Sequence, residues 1–191
     1  MKTERIELAV AGLSASESSP GNYALILEDT QSRRRFPVII GAAEAQSIAV
    51  CVEQMRPPRP LAHDLYVQSM EALGVKIEEM IIRSVADGIF YAALILRAAD
   101  GRRIEADART SDAIAIALRC GAPMYTYPEV AEEAGFLAEV FSGRQKKGSV
   151  SAYTVAEMEE ILQKLLDKED YESAARVRAM IGRRQAGDAE R

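Results

Sequence analysis

The chain has 191 residues, 48% of them apolar and 28% charged, with a formal net charge of −5 and a pI near 5.1. This composition excludes a disordered chain, and the length suits one ordinary domain with an appendage. The acidic balance argues against a protein that coats nucleic acid through a broad basic surface, but it permits an enzyme that grips a few phosphates at one place. No apolar run is long enough to span a bilayer. The opening MKTERIELAV lacks a signal-peptide layout, so a cytoplasmic location is expected. Cys51 and Cys120 are the only cysteines. Each sits in an apolar helical pattern, which points to buried thiols and not to a disulfide.

In chain order, RIELAV from Arg5 reads as a first strand. YALILEDTQSRRRFPVIIGAAEAQSIAV from Tyr23 then gives a strand, a polar turn with adjacent arginines, a second strand and an Ala/Ile-rich helix over 42–55. The same order returns later. KIEEMI from Lys76 matches RIELAV, and YAALILRAADGRRIEADARTSDAIAIAL from Tyr91 matches the stretch from Tyr23, with its helix over 112–119. Val75, Ile77, Ile81 and Val85 suit a strand, and Asp87-Gly88 and Asp100-Gly101 carry hairpin-turn chemistry. The chain is therefore expected to be α+β: a duplicated β-β-β-α unit. Between the repeats, RPPRPLAHDLYVQSMEALG from Arg56 supplies an extended Pro-rich connector and a helix. Pro60 suits that helix's first position, Leu61, Leu65, Ser69 and Leu73 line one face, and Gly74 stops it. A short strand at Met124–Tyr127 and a last short helix close the unit, and its apolar strand edges call for a homo-oligomer.

SGRQKKGSVSA from Ser142 reads as a Gly/Ser linker. Beyond it, Met158, Ile161, Leu162, Leu165 and Leu166 recur at helical spacing, and a second helix carries Tyr171, Ala174, Ala175, Arg178 and Ile181. A short connection near Asp167–Asp170 makes the pair an antiparallel hairpin, too small to stand undocked. The expected divisions are a domain at 1–141, a linker at 142–152, a hairpin at 153–184 and a tail at 185–191. The run Glu169-Asp170-Tyr171-Glu172, with Ala174-Ala175 and Arg178, resembles the UVR motif, a resemblance that implies a protein partner bound through the hairpin.

The candidate chemistry lies in three groups. Glu44 aligns with Asp112, each in the first turn of its helix; an acid there also complements the helix dipole. Arg59 stands near His63-Asp64, and His63 is the only histidine. On the last strand of the second repeat, Glu105, Asp107 and Arg109 alternate with Ile104, Ala106 and Ala108, and the polar run continues through Ser111 to Asp112. Together these supply the parts of phosphodiester hydrolysis: an imidazole for proton transfer, carboxylates that can hold Mg²⁺ or Mn²⁺, and arginines for phosphate oxygens. Arg59, His63 and Asp64 are expected to approach Asp107, Arg109 and Asp112. No zinc pattern, P-loop, dinucleotide fingerprint or nucleophile elbow occurs.

IIGAAEAQSIAV, RPPRPLAHDL, DGIFYAALIL and DARTSDAIAIALR, in this order, resemble the bifunctional nuclease family over roughly residues 3–135. The resemblance implies an α+β fold and action on DNA and RNA. Its matching polar positions are Glu44, Arg59, His63, Asp64, Asp107, Arg109, Ser111 and Asp112; by their chemistry Glu44, His63, Asp64, Asp107 and Asp112 are candidate catalytic residues, and Arg59, Arg109 and Ser111 candidate substrate-binding ones. The sequence departs from the family's pattern at Ala62, where Thr is usual, and at Thr110, where Pro is usual. Set against the nuclease is a non-catalytic adaptor that binds a ligand or oligomerises while its hairpin recruits a partner.

Overall fold

The structure is a computed structural model and describes residues 4–16, 20–86, 88–141 and 153–189. The first repeat forms β1 (Ile6–Ala15), β2 (Asn22–Asp29), β3 (Arg35–Gly41) and α1 (Ala42–Val52). The connector leads to α2 (Ala62–Ala72). The second repeat forms β4 (Lys76–Ala86), β5 (Ile89–Arg97), β6 (Arg103–Arg109) and α3 (Thr110–Cys120), followed by β7 (Met124–Thr126) and α4 (Pro128–Phe141). One seven-stranded sheet has the order β3-β2-β1-β7-β4-β5-β6. Each repeat is an antiparallel meander, and β7 joins them at the centre, antiparallel to β1 and parallel to β4.

The duplication is visible side chain by side chain. Leu25 and Leu27 of β2 and Leu94 and Leu96 of β5 all point into the same core. Leu25 pairs with Val38 and Leu94 with Ala106. α1 lies against β2 and β3, and α3 against β4, β5 and β6, and the two helices pack on each other. Glu44 and Asp112 fall in the first turns of these paired helices. α3 is buried along most of its length, from Thr110 to Ala117, and ends at Gly121, whose left-handed backbone (φ 68°) suits a residue without a side chain.

Two local expectations need adjustment. Pro60 stays outside α2, whose cap is Leu61. The face of Leu65 and Leu73 points to solvent, at 61% and 67% exposure; α2 instead seats Val67 on the core, with Tyr66 and Met70 beside it. Apolar residues occupy both sides of this helix, so spacing alone chose the wrong one. The turn expected at Asp87-Gly88 has Asp87 outside the described residues, as does the whole linker 142–152.

At the C-terminus, α5 (Val155–Asp167) and α6 (Tyr171–Ala189) pack together as a hairpin, so the second helix continues beyond residue 184. Thr154 and Glu157 form a reciprocal capping box at the start of α5. The hairpin makes a second core from Tyr153, Met158, Ile161, Val177, Met180 and Ile181, closed by Phe136 of α4. Arg176 pairs with Glu133 and stacks on Phe136 with its guanidinium 3.7 Å from the ring centre. Because this cluster is separate from the sheet's own core, deletion of residues 142–191 is expected to preserve one cooperative thermal transition. Uncovering Phe136 should destabilise by roughly 1.5–3 kcal/mol. Loss of cooperativity in differential scanning calorimetry would show instead that the hairpin completes the domain's core.

Candidate active site

Three helices deliver the polar groups to one place. His63 stands in the first turn of α2, Ser47 in the middle of α1 and Asp112 in the first turn of α3. His63 Nδ1 lies 2.8 Å from Ser47 Oγ, and His63 Nε2 lies 3.0 Å from Asp112 Oδ1. Arg109, at the cap of α3, donates to Asp112 through Nε (2.7 Å) and Nη2 (3.1 Å). Its Nη1 lies 2.9 Å from Glu44 Oε1. One guanidinium thus joins the two acids that the duplication makes equivalent. At the cap of α1, a Cβ on Gly41 would fall 2.5 Å from Glu44 Oε2, so a side chain there would displace this carboxylate from its place over the helix start. Glu44, Ser47, Leu61, His63, Arg109 and Asp112 line an open cleft of about 390 Å³.

Behind the cleft, Arg119 binds the three helices together. It donates to Asp64 Oδ1 on α2 (2.5 Å), to the Ser47 carbonyl on α1 (3.2 Å) and to the Ala115 carbonyl of its own helix (2.8 Å). Asp64 also accepts from the Leu61 N–H at 2.7 Å. Asp64 therefore belongs to the scaffold that positions His63, and its carboxylate does not line the cleft.

Residues 25–139 match the family described as the bifunctional nuclease domain. The chain belongs to this family. Among similar curated proteins are two uncharacterized proteins of Mycobacterium tuberculosis, from different strains. Each is 36% identical over 156 residues, which covers 82% of this chain and 92% of the relative.

Within this bifunctional nuclease domain the structure separates the eight residues singled out from sequence. It brings Glu44, His63, Arg109 and Asp112 together around the cleft, and puts Asp64 behind them. Asp107 is not with them. It pairs with Ala93, which clusters with Ile81 and Ile95 on the opposite face of the sheet. Strand alternation put Asp107 and Arg109 on one side, but Arg109 ends the strand and its long side chain turns to the helix starts. Arg59 is exposed on the connector and is not part of the cleft lining. Ser111 is buried in the first turn of α3, and Thr110 donates its hydroxyl to the Phe90 carbonyl at 3.0 Å and so anchors the helix to β5.

Two participants escaped sequence reasoning. Ser47 looks like filler in an Ala/Ile-rich helix, and Arg119 looks like an ordinary last-turn cation. The repeat offers the one signal available for Ser47: it stands one helical turn beyond Glu44, on the face that turns towards α3.

Among the described residues, no group of three or more His, Cys, Asp or Glu side chains is disposed to hold a metal ion. Glu44 and Asp112 would be the oxygen donors for Mg²⁺ or Mn²⁺, yet the place between them is taken by the Arg109 guanidinium. As arranged, the residues do not form a divalent-ion cage.

Burial by itself pushes the Asp112 carboxyl upward, but the hydrogen bonds and charges of Arg109 and His63 outweigh it and hold the group below its ordinary value of 3.8. Asp64 behaves alike: burial opposes, while the Leu61 N–H and Arg119 prevail. Both carboxyls are depressed on folding. Their stabilisation is therefore complete above the unfolded value and is lost as pH falls through the lower folded values. The urea midpoint of the wild type should fall below about pH 4. An Asp64→Asn variant should be weaker at neutral pH and converge on the wild type in acid. Parallel curves at all pH values would show that Asp64 contributes nothing through its charge.

Proposed function

We propose that the cleft hydrolyses phosphodiester bonds in DNA or RNA. The observation that carries this reading is the His63 ring, held at both nitrogens in an open cleft beside Arg109, in a chain of the bifunctional nuclease domain family. The imidazole moves the proton of the attacking group and returns one to the leaving oxygen. Asp112 orients the ring and stabilises its protonated form. Arg109, 67% exposed at its side chain, is placed to exchange part of its hold on Glu44 for phosphate oxygens, to which the planar guanidinium donates in pairs. Glu44 keeps that guanidinium aimed across the cleft.

A second reading has an observation of its own. Arg109 is already matched by two carboxylates, as in a closed structural network, and the acidic-aromatic run around Tyr171 is exposed on the hairpin. In that reading the domain is an adaptor that recruits a protein through the UVR-like hairpin. Incubation of highly purified protein with labelled single-stranded RNA and DNA, with Mg²⁺, with Mn²⁺ and with chelator, separates the two. Cleavage that co-elutes with the protein and disappears in Asp112→Asn supports the nuclease. Cleavage that separates from the protein peak, or persists unchanged in that variant, favours the adaptor.

A further inference from the structure

We propose that Ser47 is the nucleophile of this site and that cleavage passes through a covalent seryl-phosphodiester intermediate. The proposal rests on the phosphodiester reading for its substrate; the reactivity of Ser47 follows from the geometry alone.

Asp112 accepts from Arg109 at both oxygens. An ionised carboxylate has only lone pairs to offer, so the neutral His63 ring must carry its proton on Nε2, facing Asp112. Nδ1 is then the acceptor, and at 2.8 Å the Ser47 hydroxyl is its donor. A nucleophile, a base and an orienting acid stand in sequence, with the ring turned the other way round from the usual serine triad. Roles and geometry define such a site, not the order of the nitrogens.

The ring itself has no nitrogen left for water. Ser47, on Nδ1, lines the same cavity as the ring. Ser47 also departs from the habit of helical serines. In α2, Ser69 donates back to the Leu65 carbonyl at 2.7 Å, the common resting place of such a hydroxyl. Ser47 turns sideways to His63 instead, while its own carbonyl is held by Arg119. Its near-complete burial confines attack to a phosphate seated inside the cleft that Arg109 also lines.

In the first step Ser47 Oγ forms a bond to phosphorus and the bond from phosphorus to the leaving oxygen breaks. The hydroxyl proton passes to His63 Nδ1 and from there to the leaving oxygen. In the second step water attacks the same phosphorus, His63 takes its proton, and the Oγ–P bond breaks with return of that proton to Ser47. The sum is a phosphodiester and water giving a phosphomonoester and an alcohol.

The test uses the full-length protein and a fluorophosphonate, whose phosphorus accepts a serine oxygen with loss of fluoride. Intact mass and peptide mapping should find one adduct on Ser47, absent from His63→Ala. Ser47→Ala should cleave both nucleic acids at least roughly 10²-fold more slowly. A Ser47→Cys variant guards against a folding defect: its new thiol should react with iodoacetamide faster than Cys51 or Cys120, and only while His63 is present. Unlabelled Ser47 in a protein that cleaves, or Ser47→Ala cleaving at the wild-type rate, overturns the proposal and leaves the nuclease reading intact, with Ser47 only orienting the ring. Labelled Ser47 in a protein that cleaves neither nucleic acid upholds the nucleophile and refutes the phosphodiester substrate. A protein that neither labels nor cleaves refutes both.

Discussion

A His63→Ala variant is expected to lose cleavage of DNA and RNA by roughly 10²–10⁴-fold, the range that a positioned acid–base group supplies. The loss should appear in kcat, because the ring transfers protons and Arg109 is the group expected to hold substrate. Folding should survive. Asp112 keeps both hydrogen bonds from Arg109, so no charge is orphaned, and the cleft admits water to Ser47. The lost hydrogen bonds to Ser47 and Asp112 cost about 1 kcal/mol each, which for a chain of this size lowers the thermal midpoint by about 4–8 °C. Cleavage at the wild-type rate by a folded His63→Ala protein would remove the imidazole from the mechanism.

The largest stability effect is expected at Arg119. Its side chain is 5% exposed and holds Asp64, the Ser47 carbonyl and the Ala115 carbonyl. Arg119→Met removes the cation and leaves the Asp64 carboxylate with the Leu61 N–H alone. Breaking a buried pair from one side costs about 3–5 kcal/mol, and the partial exposure of Asp64 places this case at the lower end. The urea midpoint should fall at unchanged slope, the mark of lost stability in an otherwise similar fold. Arg119→Lys should recover little, because an ammonium point charge cannot hold three acceptors in the fork's geometry. Since the same fork fixes α1, α2 and α3, cleavage should fall with stability. A change within about 0.5 kcal/mol, the ordinary range of surface substitutions, would show that the helices hold their places without Arg119.

The fold was legible where the chain repeats itself. The stretches from Tyr23 and Tyr91 each carry a Leu-Ile-Leu strand, an arginine turn and an Ala/Ile helix, and a pattern that occurs twice constrains its own interpretation. The C-terminal hairpin was legible from the spacing of Met158, Ile161, Leu162 and Leu165. The buried face of α2 was not, because Leu65 and Leu73 are as apolar as Val67 and Met70, and only the position of α3 decides between them.

The site was half legible. Equivalence under the repeat put Glu44 opposite Asp112, but their link through Arg109 depends on two helix starts meeting in space. His63 and Asp112 are 49 residues apart, and nothing local in either segment specifies the contact. Asp107 was misplaced because the strand's alternation describes backbone faces and does not follow the long Arg109 side chain around the strand end. Ser47 and Arg119 were invisible because each matters only through a neighbour that another helix brings. The physical reason is common to all of these: the duplicated unit supplies the scaffold, while the inter-repeat insertion supplies the imidazole.

His63 is the only histidine in the chain, so its ring gives a single set of imidazole ¹H–¹⁵N signals. The most direct test of a phosphodiester cleft centred on this ring is to follow those signals while a cleavage-resistant oligonucleotide is titrated into the full-length protein. A saturable shift of both ring nitrogens is expected, and its loss in Arg109→Ala. Ring signals that stay unchanged while the oligonucleotide binds, or in the absence of any binding, would contradict it.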